Sequence, residues 1–129
     1  MTTAQQLTNE LTNWTLMLAH VLARGEIARA HALLHTVIAP QQLQLCRLLR
    51  NSTAHWLTPS RALEQDLPDT DRHRYAATTA AARDQDVRTA ARNSWRWSRD
   101  LAAEAADRWT IHLPHELHEQ ISSRLNDPR

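Results

Sequence analysis

The segment with the most potential chemistry is Arg50-Asn51-Ser52-Thr53-Ala54-His55, in which four residues separate a guanidinium from an imidazole. A histidine can move a proton at an RNA 2′-hydroxyl while an arginine steadies the charge on the phosphorane. Doubled across a dimer, Arg50 and His55 could cleave RNA without a metal. Leu57, two residues after the histidine, adds no further proton-transfer group. Arg and His at this spacing also arise by chance, so a structural role stands beside the catalytic one.

Three other groupings compete with this pair. Eight histidines are many for this length; His31 and His35 stand one helical turn apart, and His112, His115 and His118 recur every third residue. Two imidazoles at such spacing can begin a metal site, but zinc needs three or four ligands, and His115-Glu116-Leu117-His118 is not the zinc-protease pattern. No metal and no cofactor is therefore expected. Asp69 with Asp71 and Asp84 with Asp86 have the Asp-x-Asp spacing that holds magnesium on a nucleoside triphosphate. That chemistry also needs a rigid strand and a Gly-Ser turn, and the single glycine, Gly25, is followed by Glu26. Both pairs stand just before expected helices, so capping is the expected role. Among the five tryptophans, Trp14 and Trp95 fall on apolar stripes, Trp97 and Trp109 fall off the centre of theirs, and Trp56 is placed to line a cleft.

The elements that must position these residues read as helices throughout. Leu7, Leu11, Trp14, Leu18, Val21 and Leu22 form the stripe of an amphipathic helix that should end near Gly25. A second periodic run spans 26–49 with a kink expected at Pro40, because proline removes a backbone donor and crowds the preceding turn. The mixed segment 51–59 reads as a loop, followed by a short helix over 61–67 and another over 71–82. A long helix over 84–109 carries alanine and serine on the stripe of Trp95 and Leu101, and a last helix spans 114–125. Small residues on a stripe permit close helix approach. The expected fold is all-α, an antiparallel up-and-down bundle of about five helices.

Composition narrows the class. At 129 residues the chain is the size of one domain, expected to span 1–129, and scarce β-branched residues and turn glycines argue against sheet. A net charge of +1 gives no global pull toward nucleic acid or anionic lipid, and all fifteen basic residues are arginine. The lone Cys46 cannot form an internal disulfide and sits in an apolar run. No signal pattern or membrane-length apolar segment is present, so the expected location is cytoplasmic, with no membrane partner.

The order of motifs resembles a known family. Trp14-Thr15-Leu16-Met17-Leu18, Leu22-Ala23-Arg24-Gly25-Glu26-Ile27-Ala28-Arg29-Ala30, Leu43-Gln44-Leu45-Cys46-Arg47 and His55-Trp56-Leu57-Thr58-Pro59-Ser60-Arg61-Ala62-Leu63-Glu64 are similar to the helical domain of lincosamide nucleotidyltransferases. So are Arg74-Tyr75-Ala76-Ala77-Thr78-Thr79-Ala80 and Ala90-Ala91-Arg92-Asn93-Ser94-Trp95, so the resemblance covers about 9–125. It implies a bundle related to the C-terminal domain of kanamycin nucleotidyltransferase, a kind of domain that dimerises and forms part of an antibiotic cleft. Adenylyl transfer from magnesium ATP to a drug hydroxyl would belong to a preceding domain, which this chain is expected to lack. A separate nucleotidyltransferase subunit could supply it.

The expectation is thus a non-catalytic substrate-binding and dimerisation module, a homodimer in kind with its relatives, taking a small-molecule antibiotic such as a lincosamide or aminoglycoside. Trp56, Ser60, Arg61, Glu64 and Tyr75, around the helical break, are the expected substrate-binding residues. The alternative rests on the Arg50 to His55 segment, which resembles the Arg-x4-His element of metal-independent, toxin-like ribonucleases of the helical nucleotide-binding (HEPN) superfamily. Under it RNA is the partner, and Arg50 and His55 are catalytic.

Overall fold

A computed structural model describes residues 2–127, and every regular element among them is helical. The first helix, α1 (Thr2–Ala23), buries Leu7, Leu11, Leu18, Val21 and Leu22 on the expected stripe. It ends where Gly25 takes φ 75°, letting the Gly25 amide donate to Leu22 O (3.0 Å) and the Glu26 amide to Val21 O (3.2 Å). This paired closure of a helix end needs a left-handed residue, which glycine adopts without strain.

The second rod runs unbroken from α2 (Ile27–Leu33) through a π-helical turn (Leu34–Ile38) into α3 (Ala39–Leu49). The disturbance expected at Pro40 therefore appears one turn earlier, as a widened turn instead of a break. The Ala39 amide reaches back five residues to Leu34 O, and the Thr36 hydroxyl bonds Ala32 O at 2.7 Å. A π turn makes room for the proline ring and absorbs its missing donor. Asn51, at φ 58°, closes α3 with the same double bond as Gly25: its amide donates to Leu48 O (3.3 Å) and that of Ser52 to Arg47 O (2.9 Å).

After a loop over 50–62 come α4 (Leu63–Asp66), α5 (Asp69–Ala76), α6 (Asp84–Arg108) and α7 (His115–Leu125). The described residues thus form an all-α bundle, as expected, with six rods for the expected five or so. The fifth helix stops at Ala76, short of the expected 82, because the hydroxyls of Thr78 and Thr79 bond the carbonyls of Tyr75 and Ala76 at 2.7 Å each. Asp71 and Asp84 also depart from the capping role: neither α5 nor α6 has a side-chain cap, and each acid pairs with an arginine.

The first, third, sixth and seventh helices pack on one another around one continuous apolar cluster, and α5 lies against α6 and α3. Close approach of α3 to α6 uses the small residues read from the sequence. The two hydrogens of the buried Gln42 Nε2 are shared among Ser94 O (3.0 Å), Ser94 Oγ (2.9 Å) and Ser98 Oγ (2.9 Å). Trp97, off the centre of its stripe, is nevertheless 2 % exposed. The long helix is covered on two sides, and Trp97 faces the α5 side, its ring meeting Tyr75 edge-on with centroids 6.4 Å apart.

On the opposite side, His118 is buried against Trp95, with ring centroids 5.0 Å apart at 82°. The Thr12 hydroxyl donates to Thr8 O (2.9 Å), so His118 Nε2 is the donor to Thr12 Oγ1 at 3.1 Å. Burial, followed by the nearby Arg99 and His115 charges, lowers the His118 pKa. The unfolded chain takes up a proton near the ordinary histidine value, about 6.5, whereas the folded chain resists protonation to lower pH. Stability from this group is therefore full above that value and falls with pH below it. Urea midpoints measured at successive pH values should decline more steeply below neutrality in the native chain than in His118→Gln; equal slopes would remove His118 as the source.

Candidate functional site

The loop over 50–62 closes only single turns by itself, Trp56 N to Thr53 O, Thr58 N to His55 O and Arg61 N to Thr58 O, and one buried side chain organises it. Arg47, on the α3 face turned to the loop, has a fully buried side chain. Its Nε donates to Pro59 O (2.9 Å), Nη1 to Ser52 O (3.2 Å) and Asp66 Oδ2 (2.8 Å), and Nη2 to Arg61 O (2.6 Å). A guanidinium offers five donors in a rigid plane, which is why one arginine can fix three separated carbonyls and a carboxylate. The same Asp66 Oδ2 meets His55 Nδ1 at 2.8 Å. Arg47 first, then His55, hold the Asp66 carboxyl below its usual pKa.

Within one copy of the chain, Arg50 is turned to a different set of acids from His55. Its Nε and Nη2 donate to the two oxygens of the buried Asp71 (2.8 and 3.1 Å), and Nη1 and Nη2 to Glu104. Those hydrogen bonds raise its pKa further, so it is a fixed cation. Arg50, Asp71 and Glu104 line a cleft of about 480 Å³ between α5 and α6, where Arg74 also pairs with Asp100 at 2.8 Å. His55 is not part of its lining. Asn51, the third member of the sequence element, closes α3 and accepts from Arg108 Nη2 at 3.1 Å. Cys46 lies buried close by, its thiol pushed up to about 12 by burial and then by Asp71, so it is an inert packing residue.

Trp56 enters a second cleft, of about 340 Å³, lined by Thr3, Gln6, Leu7 and Glu10 of α1 and by Gln41 and Gln44 of α3. Gln44 Nε2 donates to Trp56 O at 3.1 Å and so fixes the backbone that carries the ring. Glu10, which also lines the cleft, accepts from Trp14 Nε1 through Oε2 at 3.0 Å. The buried Gln41 Oε1 takes no hydrogen bond among the described residues. A buried amide oxygen without a donor costs free energy that a ligand hydroxyl or amine would recover.

The other expected substrate residues lie apart from this cleft. Ser60, Arg61 and Glu64 are exposed on the loop and α4, and half-buried Tyr75 packs against Trp97. Arg47, Asp66, Gln41, Gln44 and Glu10 are the residues that sequence reasoning passed over. Their one visible signal was Arg47 on a stripe otherwise made of Leu43, Cys46 and Leu49, a position where an arginine must find buried acceptors.

Neither metals nor nucleotide-bound magnesium fit these residues. No three of His, Cys, Asp and Glu converge among the described residues. His31 Nε2 donates to Ala80 O (2.9 Å) and His35 Nδ1 to His31 O (2.8 Å), with the two rings 4.3 Å apart. Each Asp-x-Asp pair is engaged by arginines: Asp69 and Asp71 by Arg72 and Arg50, Asp84 and Asp86 by Arg88 and Arg83. The sequence matches, over residues 2–124, a family described as lincosamide nucleotidyltransferase-like, C-terminal domain. None of the curated proteins compared with it matches.

Proposed function

Because the chain belongs to the lincosamide nucleotidyltransferase-like C-terminal domain family, we propose that it is a non-catalytic acceptor-binding module. It holds a small-molecule antibiotic for a nucleotidyltransferase domain, on the same polypeptide or on a second subunit, and it works as a homodimer. The observation that carries this reading is the Trp56 cleft, whose lining brings together an aromatic ring, three glutamines and one carboxylate. A flat ring with a few fixed polar groups is the usual composition of a small-molecule site. Lincosamides and aminoglycosides carry the hydroxyl and amine donors that Gln41 and Glu10 would accept.

Ribonuclease chemistry draws less support. Arg50 would have to stabilise a phosphorane while already bonded to two carboxylates, and His55 is oriented by Asp66 as part of the loop support. A guanidinium neutralised in this way has little field left for a developing anion.

Calorimetric titration with lincomycin and with kanamycin tests the reading. One of them should bind the native chain, and Trp56→Ala should weaken that binding at least tenfold, since losing a stacked ring removes on the order of 1–3 kcal/mol. No binding of either drug, or equal binding by Trp56→Ala, would overturn it.

A further inference from the structure

Along α6, Arg88, Arg92, Arg96 and Arg99 follow one another at steps of four, four and three, which puts them on one face of the helix. The last turn of α7 brings Arg124 beside them. Arg92, Arg96 and Arg99 line a narrow cleft with Ser122, Leu125 and Asn126, and Arg88 and Arg124 share the adjoining groove with Leu125 and with one carboxylate, that of Asp127. Two of these cations are matched, Arg88 by Asp84 and Arg99 by Glu119. Among the described residues no carboxylate lies within ion-pairing distance of Arg92, Arg96 or Arg124. Arg92 Nη2 donates to Thr89 Oγ1 (3.3 Å) and Arg96 Nη1 to Asn93 Oδ1 (3.2 Å), both neutral acceptors.

We propose that this arginine face of α6 and α7 binds the phosphodiester backbone of a single-stranded nucleic acid. The guanidinium plane matches a phosphate with two parallel hydrogen bonds, and a four-residue step on a helix advances about 6 Å, close to the repeat of phosphates along an extended strand. The net charge of the chain is only +1, so the unmatched charge is a local feature of this face. An acidic protein would offer carboxylates to the same forks, but protein interfaces have an apolar centre. The exposed large hydrophobic residues, Met17 and Leu57, stand on α1 and the 50–62 loop instead. Trp95 beneath the stripe is buried, with Nε1 bonded to Ser122 Oγ at 2.9 Å, so no ring is offered to a base. Recognition is therefore of backbone and independent of sequence.

Fluorescence anisotropy with a labelled single-stranded RNA and a DNA of the same length tests this directly. Both should bind at low salt. With three phosphates neutralised, affinity should fall about twentyfold for a fourfold rise in salt, from a slope of roughly −0.7 per contact on single strands. The double reversal R92E/R96E should weaken binding at least tenfold and flatten the salt slope, and the milder R92Q/R96Q should weaken it with an unchanged circular dichroism spectrum. The equal charge change R24E/R29E, at the exposed α1–α2 corner, should leave it unaltered. Absence of binding at low salt would overturn the proposal, as would equal loss in R24E/R29E. Displacement of RNA by polyglutamate as readily as by inorganic polyphosphate would overturn it in favour of an acidic protein partner. None of these results depends on the Trp56 cleft.

Discussion

Arg47→Met is expected to destabilise the protein by about 3–5 kcal/mol, because three backbone carbonyls lose their donor at about 1–3 kcal/mol each. The substitution keeps the length of the buried stem and removes the donors. Pro59 O, Ser52 O and Arg61 O then lose their partner together, and Asp66 is left to His55. At roughly 3 °C per kcal/mol for a domain of this size, the melting temperature should drop by about 10 °C or more. The loss should begin in the loop. Limited trypsin digestion should therefore cut after Arg61 in the variant well below its melting temperature, while the native chain resists. Arg47→Lys restores a charge for Asp66 but not the planar fork, so it should recover only part of the loss. A melting temperature within about 2 °C of native for Arg47→Met would mean that other contacts hold the loop.

Trp97→Ala should produce a loss of similar size, about 3–5 kcal/mol, the range for deleting a large buried aromatic and leaving a cavity. Its ring is the apolar floor on which α5 rests, with Tyr75 against one edge and Leu101 one turn further along α6. Trp97→Phe should retain most of the stability. The contrasting case is Trp109, half-buried at the end of α6 with the Arg108 guanidinium 4.9 Å from its ring centroid. Its removal to alanine should cost clearly less, because much of that surface already meets water. Urea midpoints for the three variants measure the ordering, and equal losses at Trp97 and Trp109 would contradict the burial described.

The helices and their faces were legible because repeated apolar spacing averages over many residues. The stripes over 7–22, 87–105 and 117–125 turn to the core as their period marks, with Trp14 and Leu117 half-buried at its edge. Trp97 escaped because a single stripe describes a helix covered on one side, and α6 is covered on two. The acids before α5 and α6 were assigned to caps on local grounds, yet Asp71 is held by Arg50, twenty-one positions earlier in the chain. No local pattern encodes such a partner. The loop is the extreme case. Trp56 was placed at a cleft from its setting beside the Thr58-Pro59-Ser60 break, but its neighbours there come from α1 and α3. Ser60, Arg61 and Glu64, grouped with it around the same break, contribute nothing to that lining.

The π turn at Leu34–Ile38 acts on the second rod as a phase slip does on a screw thread. One extra residue per turn rotates everything beyond it by about 100° relative to an uninterrupted α-helix. The thread before the slip carries Ala30 and Leu34 into the core; the thread after it carries Gln42, Leu43, Cys46 and Arg47. The orientation of the loop, and of the tryptophan it bears, is thus timed by a residue count in the turn upstream of α3. Homologues that keep the loop's function but lose one residue in this segment must regain the angle elsewhere, by unwinding the rod or by moving the arginine to another position of the helix.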